Sequence, residues 1–150
     1  MAMGVIFDLS RTVYDPETDD FTLGCEELLR ALRARGYILC LLDRTGDGRV
    51  ELVCRLKLYE FFKEVLLVED KTLEHFKECL KGLGLPACEV AVVGDRLDKE
   101  IAIGNEIGMI TIWYRAGEFA RLLPKDESQI PDFITSDIRD VTKFAAGGIK

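Results

Sequence analysis

Five short apolar runs without a helical period punctuate the chain, at Val5–Phe7, Tyr37–Leu42, Val65–Val68, Val90–Val93 and Met109–Trp113. Strands look like this when both faces of a parallel sheet are covered. The segments between them change period. Thr22 is placed to cap a helix that runs to Arg35, with Leu28, Leu29 and Leu32 as its apolar stripe and Gly36 as its stop. A second helix is expected from Val50 to Lys63, where Leu52, Leu56, Tyr59 and Phe62 recur at helical spacing. Thr72 would cap a third, Leu73 to Gly82, and Gly108 would end a fourth that starts at Asp98. Strand and helix alternate with short connections, which predicts a three-layer α/β/α, Rossmann-like domain around a five-stranded parallel sheet. Phe133 to Thr135 offers a short sixth strand and Ile138 to Phe144 a last helix. No repeat or linker divides residues 1–150, so one domain is expected.

In such sheets ligands bind at the carboxyl ends of the strands. Those ends carry Asp8, Asp43, Asp70–Lys71 and Asp95. If the strands of Asp8 and Asp95 are neighbours, their two carboxylates and water can hold magnesium octahedrally, sharing it with a phosphate oxygen. Lys71 can neutralise both a carboxylate and a phosphate. A carboxylate beside a metal and an ammonium stays ionised at neutral pH, and it can then attack phosphorus.

The residues around these positions resemble the haloacid dehalogenase (HAD) superfamily. Val5-Ile6-Phe7-Asp8-Leu9-Ser10-Arg11-Thr12 is similar to the family's first motif, hhhhDxDGT. Lys71-Thr72-Leu73-Glu74-His75-Phe76 is similar to the third-motif segment. Val93-Gly94-Asp95-Arg96-Leu97-Asp98-Lys99-Glu100 is similar to the fourth motif, GDxxxxD. The resemblance implies a hydrolase, a magnesium-dependent phosphatase working through an aspartyl-phosphate at Asp8. It makes Asp8 the nucleophile and a metal ligand, the carbonyl of Ser10 a second ligand, Asp95 a third and Glu100 its support. Lys71 would pair with Asp8 and the phosphate.

The departures from the pattern are equally specific. Ser10 stands where the family carries its acid/base aspartate, a role worth roughly 10²–10⁴-fold. Arg11 replaces the following glycine; it either binds substrate or fills the pocket. The phosphate-gripping Thr or Ser of the second motif falls on Leu42, with Asp43–Arg44 next, either phosphate contacts or a simple turn. Two readings follow: a working phosphatase, or a catalytically impaired relative that binds a phosphorylated ligand or a protein partner. Neither the stretch from Asp8 to Tyr37 nor that from Asp43 to Lys71 has room for a lid domain, so the fold is expected to be capless and its substrate a phosphorylated small molecule or a macromolecular phosphate. Trp113, Tyr114 and Phe119 suggest an exposed apolar surface that a second copy would cover, giving a homo-oligomer.

Composition narrows the setting. Twenty basic against 27 acidic residues give a net charge of −7, which disfavours nucleic acid and anionic membranes as partners. No run approaches the ~20 apolar residues of a membrane span, and a cytoplasmic protein is expected. Its five cysteines include no C-x-x-C pair; Cys25, Cys40, Cys54 and Cys79 are expected to be buried free thiols, with Cys88 in a loop.

Overall fold

A computed structural model describes residues 2–147. Its elements run β1 (Gly4–Phe7), β2 (Tyr14–Asp15), β3 (Asp20–Phe21), α1 (Cys25–Ala34), β4 (Ile38–Arg44), α2 (Arg49–Arg55), β5 (Glu64–Val68), α3 (Leu73–Leu83), β6 (Val90–Gly94), α4 (Ala102–Ile107), β7 (Ile110–Tyr114), β8 (Phe133–Thr135) and α5 (Val141–Ala145). Six strands form one sheet in the order β5-β4-β1-β6-β7-β8, and every pairing in it is parallel. The short β8 therefore extends the expected five strands to six. The sheet is built outward in both directions from β1, so β1 and β6 flank the point where the winding reverses, the crevice that favours ligands.

Alternation along each strand divides the core in two. Val5, Phe7, Leu39, Leu41, Ala91 and Val93 pack on one face with α1 and α5. Ile6, Cys40, Leu42, Val90 and Val92 pack on the other with Phe76, Cys79 and Leu83 of α3. Both faces are covered, which is why the strands read as continuous apolar runs.

Several local expectations change. The first helix is preceded by Gly24 in a left-handed conformation (φ 84°), not capped by Thr22. The helix expected from Val50 to Lys63 stops at Arg55, because Lys57 turns left-handed (φ 55°) before a short 3₁₀ turn at Leu58–Glu60. β4 continues through Asp43 and Arg44. Trp113 and Tyr114 are buried, 2% and 8% exposed, so the apolar surface expected to draw a second copy is not formed by them. Cys54 is exposed, since α2 buries only Val53; Cys25, Cys40 and Cys79 are buried free thiols as expected. Residues 9–24 carry the β2–β3 hairpin and residues 45–63 carry α2, and neither stretch forms a lid domain. No helix among the described residues is long and apolar enough to cross a membrane.

Candidate active site

The carboxyl ends of β1, β4 and β6 open into a pocket of about 190 Å³ lined by Asp8, Asp43, Lys71, Asp95 and Glu100, with Ser10, Arg11 and Arg44 also on its wall. The five deep groups are charged residues, yet Asp8 is 4%, Asp43 3%, Lys71 7%, Asp95 3% and Glu100 2% exposed. Charges are buried at this density only where they compensate one another or hold an ion.

Asp8 follows β1, and its backbone N–H donates to the Val93 carbonyl at 3.1 Å, fixing it against β6. One carboxylate oxygen pairs with Lys71; the other accepts from the buried Thr12 hydroxyl at 3.3 Å. Lys71 Nζ also lies 3.5 Å from Glu100 Oε1 and 3.6 Å from Asp43 Oδ1. The ammonium thus serves three acids. Burial alone would lower its pKa; Asp8, Glu100 and Asp43 outweigh that and raise it. Burial pushes the Asp8 carboxyl up, but Lys71 and hydrogen bonding with Asp43 and Asp95 hold it below the usual carboxylate range.

Asp95 ends β6, and its carbonyl accepts from the Trp113 indole at 3.0 Å, so the buried tryptophan positions the acid. Glu100 reaches the pocket because the expected helix opens with a π-helical turn, Leu97–Ile101, before α4. Wider turns of this kind recur at functional sites. Gly94 makes room for it: a Cβ there would lie 2.5 Å from Glu100 Cγ. Burial, with the charge of Asp8 next, pushes Asp95 up to about 9. Burial likewise lifts Glu100 to about 8, against the pull of Lys71.

A divalent cation fits this end of the pocket. Asp8, Asp95 and Glu100 each offer an oxygen, all within 4.8 Å of one another. Both Glu100 oxygens are buried without a hydrogen-bond partner among the described residues. Unpaired buried carboxylate oxygens are costly, and a hard cation with oxygen preference satisfies them.

The phosphate side departs from expectation. Leu42 is not at the pocket; it is 1% exposed in the core beside Phe76. The strand pleat turns Asp43 to the pocket instead, one residue later than the motif alignment put it. Its Oδ2 lies 3.4 Å from Arg49 Nε without a hydrogen bond. Burial and the charge of Asp8 lift Asp43 to about 7. Arg49, the first residue of α2, lines the pocket and was missed by the sequence reading; its only signal was its place after the Gly46–Gly48 turn. Arg44 is exposed at the rim and donates to the Glu69 carbonyl at 3.3 Å. Ser10 bridges to Tyr14 in the turn that follows β1. Arg11 occupies a left-handed position (φ 62°), which explains why glycine suits that place. His75 is a cap: its Nδ1 accepts from the Thr72 backbone N–H at 3.2 Å, at the start of α3.

The fold and this constellation define a HAD-type domain, and the chain belongs to the haloacid dehalogenase superfamily. A HAD-hydrolase-like family model matches residues 72–141. The glyceraldehyde 3-phosphate phosphatase of Methanopyrus kandleri is 36% identical over 111 residues, 70% of this chain and 48% of that protein. The chain spans about half the length of the curated relatives it matches. A protein from Listeria monocytogenes serotype 4b has the same fold, with a TM-score of 0.79 at 18% identity over 96% of this chain and 97% of that one. So does the HAD-hydrolase YfnB of Bacillus subtilis, solved bound to magnesium, with a TM-score of 0.70 at 17% identity over 83% of this chain and 56% of that one.

Proposed function

We propose that the chain is a magnesium-dependent phosphatase of small phosphomonoesters, acting in the cytosol through an aspartyl-phosphate at Asp8. The observation that carries this is the meeting of Asp8, Lys71, Asp95 and Glu100 in one buried pocket at the switch point of the sheet. The relatives named for glyceraldehyde 3-phosphate make that triose phosphate a first substrate to try.

Asp8 is held ionised by Lys71 and so is a nucleophile at neutral pH. A carboxylate oxygen bonds to phosphorus as the ester oxygen leaves. Water then attacks the same phosphorus, releasing inorganic phosphate and restoring Asp8. Asp8, Asp95 and Glu100, with the carbonyl of Ser10, would hold the cation, which supplies neutralising charge to the phosphoryl oxygens. Lys71 adds a fixed positive charge beside Asp8. Ser10 cannot protonate the leaving oxygen at neutral pH, so that proton comes from water, and turnover is slow.

The test is hydrolysis of para-nitrophenyl phosphate and glyceraldehyde 3-phosphate with and without magnesium. Asp8→Asn should cost on the order of 10³–10⁶-fold. Activity equal in wild type and Asp8→Asn would sink the proposal. Ser10 and the buried Asp43 favour a second reading, a relative that binds a phosphorylated ligand without turning it over; under it, wild type binds phosphate esters but hydrolyses none.

A further inference from the structure

The mouth of the pocket is unlike the rest of the surface. The protein carries a net charge of −7, yet Arg44, Arg96 and Lys99 all line this one small opening. They come from two sides: Arg44 from the end of β4, Arg96 and Lys99 from the segment that follows β6.

The acids that pair with Lys99 and Arg96 are exposed. Lys99 Nζ lies 3.3 Å from Asp70, whose side chain is 61% exposed. Arg44 lies close enough to help hold the Asp70 carboxyl low, after the larger effect of Lys99. Asp70 therefore pairs with Lys99 and lies within the electrostatic reach of Arg44. Arg96 pairs with Asp98 at 2.7 Å and lies over the Phe119 ring at 4.8 Å from its centroid. Asp98 is 49% exposed and does not line the pocket, whereas Arg96 and the ring beneath it do. The exposed, single-contact Lys99–Asp70 pair contributes only about 0–1 kcal/mol, and an incoming anion can displace it; Arg96 holds Asp98 through two hydrogen bonds, at 2.9 and 2.7 Å, and keeps its charge at the pocket wall.

The deep end is already committed to one phosphoryl group. The pocket, at about 190 Å³, is smaller than the ~300–1,000 Å³ that holds a drug-sized ligand. Whatever is esterified to that phosphate must pass between Arg44, Lys99 and Arg96. A neutral tail would draw nothing from Arg44, Lys99 and Arg96, which would keep their present partners.

We propose that Arg44, Arg96 and Lys99 form a subsite for a second anionic group, so that the substrate is a short phosphomonoester that also carries a carboxylate or a second phosphate. This rests on the phosphatase reading for the seat of the first phosphate. It also separates the chain from its relatives in one respect: glyceraldehyde 3-phosphate has no second anion.

The test measures equilibrium binding, by calorimetry in magnesium, to the Asp8→Asn protein, in which chemistry is blocked. Three probes are compared: glycerol 3-phosphate, 3-phosphoglycerate and propane-1,3-diol bisphosphate. The two doubly anionic probes should bind about tenfold or more tightly than glycerol 3-phosphate. The better of the two identifies the second group. Adding Arg44→Gln, Arg96→Gln and Lys99→Gln together should erase that preference, lowering the affinity for the two doubly anionic probes by more than that for glycerol 3-phosphate. All three residues are at the rim, and thermal melting checks that the variant folds. Equal affinity for the probes, a preference that survives the triple variant, or no binding of any probe overturns the subsite. Wild-type hydrolysis of the same esters is measured in parallel. A preference in binding without hydrolysis leaves the subsite standing and removes the phosphatase; hydrolysis without preference does the reverse.

Discussion

The two halves of the pocket have been treated differently. On the β6 side, Gly94 and Asp95 match the family motif and Glu100 keeps its charge, one methylene longer than the usual aspartate: acids that face a candidate cation site, and a glycine that lets one of them in. On the β1–β4 side, Ser10, Arg11 and Asp43 replace an acid, a glycine and a hydroxyl. Cation binding tolerates little change, because ligand number and spacing decide it. On the proposed reading, handling of the ester and its leaving group has been rewritten around the same aspartate. The difference teaches that the cation end and the ester end of one pocket can change independently.

The comparison is broken most directly from the rewritten side. Ser10→Asp, with Asp43→Thr to remove the neighbouring acid, should raise hydrolysis by about 10²-fold or more by supplying a proton donor. A rate unchanged in steady-state assays would mean that the β1–β4 half works by other means. On the preserved side, Asp95→Asn should weaken magnesium affinity roughly 10–100-fold, read by titration of the folded protein, while phosphate-ester binding without metal stays the same. Gly94→Ala forces Glu100 aside and should cost about 1–3 kcal/mol in denaturant melts, together with part of the magnesium affinity.

The smallest effect concerns pH. Asp43, Asp95 and Glu100 sit at about 7, about 9 and about 8 in the folded protein, above their ordinary values. Their folded forms keep protons that the unfolded chain has released, so the stability they contribute is full in acid and is lost as pH rises through that window. Asp8 and Lys71 are shifted away from it and stay constant across it. Without divalent cations the melting temperature should therefore fall between about pH 5 and pH 9, and magnesium should flatten the fall. A metal-free protein that gains stability over that range would contradict the burial of these acids.

Most of the fold was legible because both faces of the sheet are covered, and covered strands leave uninterrupted apolar runs. Asp8, Lys71, Asp95 and Glu100 were legible because strand ends put chemistry at fixed places. The phosphate-gripping place was put on Leu42 rather than Asp43 because an unbroken apolar run hides the phase of the pleat: nothing in Leu41-Leu42-Asp43 says which side chain faces the pocket. Arg49 was invisible because only the tertiary path of the turn after β4 brings it there. The break at Lys57 was hidden as well, since a single left-handed residue leaves the apolar spacing on either side intact.

Asp8 meets Lys71 across 63 residues of chain, and Asp95 lies further along still. The nucleophile therefore belongs to an early strand but gains its partners only when the chain has crossed over to β6. Closing such long loops is slow and entropically opposed, so the pocket is among the last features to be completed. On the proposed reading, cation binding by this domain would double as a report that the sheet has been wound from β1 across to β6, and a partly assembled chain would have the acid but none of its chemistry.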